Sequence, residues 1–188
     1  MKEGPKPSRA GVLHEVIEEI LVRKDGQIPT DIEGTDVFLD GIEDLANALL
    51  LRWHTRLVAS LERGLADEPE DREEAVIEAW RHATWIYWGV RKVIDDLADH
   101  PPTEEVAHAV RATACNDWAA MAVAAGLASA FDEPAVRVGH RLELEARRRN
   151  LVEHSTARMP RPRTVLGSSR RCSPVERAPQ RVGSISRP

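Results

Sequence analysis

Cysteine is nearly absent: the 188-residue chain carries two, Cys115 and Cys172, far apart and with no CxxC spacing. That excludes a disulfide framework and the commonest zinc signatures. Aromatic rings are scarce, with five Trp, two Phe and one Tyr. The longest apolar run, "WAAMAVAAGLASAF" at 118–131, falls short of the roughly 20 residues that a membrane-spanning helix needs. "MKEGPKPSRAG" at the N-terminus has basic residues but no apolar stretch behind them, so export by a signal peptide is not expected and a cytoplasmic location is. There is no Gly-rich phosphate loop, no G-x-S-x-G, and no His placed to activate a cysteine, so no cofactor is expected. Alternating strand patterns are missing between residues 11 and 155, and no repeat recurs. What remains is an all-α fold, a helical bundle of four to five helices.

Lysine is also rare, four against 22 arginines, a bias that with abundant alanine points to a GC-rich bacterial genome. The net charge of −5 divides unevenly. Eight arginines and one glutamate after Ser155 give +7 there and leave −12 on residues 1–155. An acidic body is a poor surface for nucleic acid, whereas the basic end offers weak, non-specific attraction to phosphate. That end, including "MPRPRTVLGSSRRCSPVERAPQRVGSISRP", is dense in Arg, Pro, Ser and Gly without periodicity, the composition of disorder. It reads as a flexible basic arm or as a frameshifted end. The expected organisation is a flexible N-terminus at 1–10, a helical bundle at 11–155 and a disordered tail at 156–188.

Within the body, apolar spacing predicts helix over 12–24, then a long helix from about Thr35 to Ala66 whose first turn Gly41 can separate. A third begins near Glu70. Its stripe of Val76, Trp80, Ala83, Tyr87, Val90, Ile94 and Leu97 alternates steps of four and three, the pattern that keeps one seam against a neighbouring helix. Thr103 is positioned to cap a fourth helix running to about Ala130, whose small residues let another helix approach closely. Asp132 caps a fifth, with Pro134 in its first turn.

Three tryptophans and the tyrosine crowd into 80–88. Trp80 and Tyr87 fall on the seam and read as core. Trp85 and Trp88 do not: with Arg81 and Lys92 they form a second row, on a face shared with Glu74 and Asp95. Either a neighbouring helix covers this row and the Arg and Lys stems lie along the rings, or it is a protein interface, since Trp and Arg dominate binding hot spots. A cation cage is a third use of such rings.

Candidate chemistry is sparse. A di-iron bundle needs two E-x-x-H pairs and two more glutamates, and the chain has one pair, Glu105 and His108. Glu78 and His82 stand one helical turn apart, as solvated acid–base pairs often do. Cys115 reads as a small buried hydrophobe, and His54, next to Trp53, as a hydrogen-bonded structural histidine. "RNLVEH", Arg149 to His154, resembles the R-x4-6-H motif of HEPN-domain ribonucleases, in which a polar residue such as Asn150 often follows the arginine. The resemblance implies an all-α, metal-independent ribonuclease of toxin or defence type, with Arg149 stabilising phosphate charge and His154 moving protons. The leading expectation is different: a non-catalytic regulatory or accessory protein that acts through a protein partner or a homodimer, with contact at Arg81, Trp85, Trp88 and Lys92.

Overall fold

The computed structural model describes residues 8–158, with side chains through Val152. Most of the segment 1–10 and the tail beyond Arg158 therefore lie outside the described residues. Between them every regular element is a helix. These are α1 (Arg9–Arg23), α2 (Thr35–Phe38), α3 (Gly41–Leu65), α4 (Arg72–Ile86), α5 (Trp88–Asp99), α6 (Glu104–Ala124) and α7 (Glu133–Arg158). No helix among the described residues is long and apolar enough to cross a membrane.

Seven helices replace the expected four to five because two of the expected helices are divided. The first turn of the second helix, Thr35–Phe38, closes on itself before Asp40 leads into α3. The third helix breaks at Tyr87, whose backbone (φ −110°, ψ 34°) leaves the helical region. Few hydrogen bonds are lost there, since Tyr87 N–H still donates to the Ala83 carbonyl and Arg91 N–H to that of Tyr87. The break redirects the chain so that Gly89 meets α1. A Cβ at Gly89 would stand 2.6 Å from the Ile20 carbonyl oxygen, so the approach requires glycine. The apolar seam survives the bend: Val76, Trp80, Ala83, Val90, Ile94 and Leu97 are all buried, and Tyr87 is half-buried.

Side-chain caps fix the helix starts. Ser8, Asp71, Thr103 and Asp132 each accept a hydrogen bond from the N–H three residues on, satisfying one of the orphan donors of a first turn. α6 ends at Ala124 instead of near Ala130, because Leu127 N–H already turns back to the Ala122 carbonyl. Its small face packs on α7 as expected. Ala119 and Ala122 are buried with Ala135, and the backbones come so close that a Cβ at Gly139 would fall 1.8 Å from the Trp118 carbonyl oxygen.

The main core joins α1, α3, α4, α5, α6 and α7, the last through Leu142 and Ala146, with the seam of α4–α5 against α3. At its centre Trp53 and Trp80 meet edge to face, with centroids 6.3 Å apart and planes at 78°, an arrangement that aromatic quadrupoles favour.

Candidate functional site

The second tryptophan row lands at the α4–α5 break and is not covered by any helix among the described residues. Trp85 is 75% exposed and Trp88 40%, with Ile86 beside them at 38%. The covering helix that the sequence allowed for does not reach Trp85. Lys92 Nζ stands 5.5 Å from the Trp88 ring centroid and donates to the Lys24 carbonyl at 3.0 Å, tying α5 to the end of α1. Arg81 turns inward: its side chain is only 14% exposed, and it bonds the Asn150 side-chain oxygen at 2.9 Å and Glu78 at 2.5 Å. Of the face's two acids, Glu74 pairs with Arg149 on α7, and Asp95 joins a charged cluster with Arg147.

That cluster was not foreseen. Arg91 and Asp95 are one turn apart on α5; Glu143 and Arg147 are one turn apart on α7. Each pair closes within its own helix, at 2.8 and 2.7 Å. Each also crosses to the other, Arg147 to Asp95 at 2.7 Å and Arg91 to Glu143 at 3.3 Å. The result is a square of alternating charge. Trp118 Nε1 donates to the remaining Glu143 oxygen at 2.6 Å, and both guanidiniums lie over the ring of Trp80, Arg91 also over that of Trp53. Burial opposes ionisation of Asp95, but the hydrogen bond from Arg147 and the charge of Arg91 outweigh it and hold the carboxyl below its ordinary range. Burial likewise disfavours the Arg147 cation, yet its bond to Asp95 and the charge of Glu143 push its pKa up. Each partner is what makes the other's burial tolerable.

Next to the square, Asp117 on α6 is 3% exposed and serves α3 twice. It accepts from Trp53 Nε1 at 2.9 Å, and its other oxygen meets His54 Nδ1 at 2.6 Å. Burial raises the Asp117 pKa against the opposing pull of His54, and the hydrogen bond to Asp117 raises that of His54. The histidine is hydrogen-bonded as its sequence context suggested.

Two cavities flank the square, and Arg91, Asp95 and Arg147 line both. The larger, about 770 Å³, opens between α3, α5, α6 and α7, with Trp118 and His140 in ring contact at 4.5 Å on one side. Cys115 stands on its wall and is exposed, not buried as its apolar context suggested. The smaller, about 470 Å³, lies between α4, α5 and the end of α7, with Trp88 and Leu151 among its walls. Trp80 and Thr84 line it too, and Trp80 Nε1 and Thr84 Oγ1 are buried without a hydrogen-bond partner among the described residues. A polar group left so costs about 1–3 kcal/mol.

The other candidates stand apart from these features. Glu105 and His108 are both exposed on α6, and no group of three or more His, Cys, Asp or Glu among the described residues is placed to hold a metal. Glu78 turns to Arg81 and Arg149. Arg149 is gripped by Glu74 at 2.6 Å and Glu145 at 2.8 Å, bonds that push its pKa up. The side chain of His154 lies outside the described residues.

Comparison with protein-family models, with curated proteins and with solved structures returns no match.

Proposed function

We propose that the protein acts through protein–protein contact at the Trp85–Trp88 face, and that its partner there is a second copy of the chain. The observation that carries this is the exposure of Trp85, at 75%, with Ile86 and Trp88 beside it and Leu151 of α7, itself 71% exposed, across the smaller cavity. Large rings held on ordered helices give much contact area for little lost freedom, which is why tryptophan anchors interfaces. Leaving them in water instead invites non-specific association.

A second copy suits the charge order along this face. Glu78, with a half-exposed side chain, precedes the rings and Lys92 follows them. A two-fold axis through the tryptophans sets the acidic end of one copy against the basic end of the other, and an isologous interface requires such self-complementarity. The ribonuclease alternative has no comparable support, since the groups around Arg149 are carboxylates and not a phosphate-sized opening. Nucleic-acid attraction through the tail concerns residues outside those described. Light scattering on the full chain tests the proposal: twice the 21.0 kDa chain mass at micromolar concentration is expected, and a monomer at every concentration would refute it.

A further inference from the structure

The smaller cavity and the exposed ring beside it suit one another, but not within one chain. We propose that this cavity is the seat for Trp85 of a second copy, an inference that rests on self-association through this face. Trp85 is the most exposed ring among the described residues, at 75%. It directly follows Thr84, which lines the cavity, yet is not itself among the lining residues. Successive side chains on a helix diverge by about 100°, so the ring passes its own cavity by. Trp88 and Leu151 on the walls are 40% and 71% exposed, so the cavity opens to solvent. Its volume of about 470 Å³ falls within the roughly 300–1,000 Å³ usual for pockets that take up small groups.

Interface anchors are characteristically tryptophans seated in pockets that exclude water, and an anchor tends to meet an anchor. Here Trp88 offers the entering ring an aromatic neighbour, a pairing worth more than its buried area alone, and Lys92 lines the same cavity with a cation for an indole face. Symmetry makes the contact double. Ring and seat lie on one face, since Trp88 stands in the row of Trp85 and also lines the cavity. A two-fold axis near Trp88 therefore fills both seats at once and closes the dimer, whereas a ring and a seat on opposite faces would propagate into a filament. Charge agrees: the ring comes from the end of the face that carries Glu78, two turns before Trp85 on α4, and the seat holds Lys92.

Sedimentation of full-length chains tests this with two variants. Trp85→Ser lacks the ring; Leu151→Glu, at an exposed helix position, sets a carboxylate in the wall that a seated ring would strip of water. Each seat should be worth about thirtyfold in dissociation constant, the scale of a tryptophan anchor. Either variant alone loses both seats, so its homodimer should weaken about thousandfold while its far-UV helicity stays that of the wild type. An equimolar mixture keeps one seat, Trp85 of the Leu151→Glu chain in the intact cavity of the Trp85→Ser chain, and should recover association to within about thirtyfold of the wild type. A mixture that associates no better than its components, or a Leu151→Glu homodimer as tight as the wild type, would overturn the seating and leave self-association through this face standing. A wild-type monomer would remove that reading and the seating with it, and would give the cavity to residues 159–188 or to a different protein.

Discussion

Tryptophan meets cationic side chains in two regions of this molecule, and the outcome is opposite. In the interior, Trp53 gives its N–H to Asp117, half-buried Trp118 gives its own to Glu143, and arginines that lie over Trp53 and Trp80 are themselves held by carboxylates. At the α4–α5 break, Trp85 and Trp88 keep large areas in water, with Lys92 near one ring. Residue type does not separate the two. The inner rings sit among partners drawn from three further helices, whereas the outer ones lie where the chain bends and no helix among the described residues arrives to cover Trp85. Burial against charge-paired arginines is architecture; exposure at the bend is a surface waiting for something to cover it.

The largest effect should come from breaking the inner region. Glu143→Leu strips Arg91, Arg147 and Trp118 of a shared acceptor at a position 5% exposed, and should cost about 3–5 kcal/mol in urea denaturation, as removing one partner of a buried pair does. Asp117→Ala should cost somewhat less, about 2–3 kcal/mol, for the orphaned Trp53 N–H and the lost His54 contact. A loss under about 0.5 kcal/mol in both, the level of ordinary surface changes, would remove the distinction between the regions.

A smaller effect should appear with pH. His54 is raised above its ordinary value of 6.5 by its hydrogen bond to Asp117, so the folded state binds the proton more tightly than the unfolded chain. Its stabilisation is complete below pH 6.5 and is lost as pH rises through the higher folded value. The side chain is 36% exposed, so solvent screening limits the loss to about 0.5 kcal/mol. Thermal denaturation between pH 6 and 8 should show a decline in the wild type that His54→Asn flattens.

Much of this architecture is legible in the sequence, where the rule is local. Caps at Thr103 and Asp132 and the seam from Val76 to Leu97 follow from spacing alone. The break at Tyr87 does not, because a single glycine at 89 is compatible with a continuous helix and the benefit of the bend, the approach of Gly89 to Ile20, lies on another helix. The start of α1 at Arg9 was hidden for a simpler reason: "RAG" contributes no apolar periodicity. Of the candidate site, the exposed tryptophan row was visible as a row off the seam, while the charge square was not. Arg91 with Asp95, and Glu143 with Arg147, each look like a solvated pair one turn apart, and only the packing of α5 beside α7 reveals that they interlock. One signal was available. Asp117 is a lone carboxylate inside an alanine-rich helical run, a position where burial demands a partner.

The smallest effect on stability should come from Trp85→Ser, within about 0.5 kcal/mol as for other surface changes, and the same variant tests the central claim most directly. Its solution mass and far-UV helicity should be measured beside the wild type at matched concentration. A helical monomer from a wild-type dimer is the predicted result. A variant that remains a dimer, or that loses its helicity, would contradict the assignment of this face to contact and return the ring to the fold's own architecture.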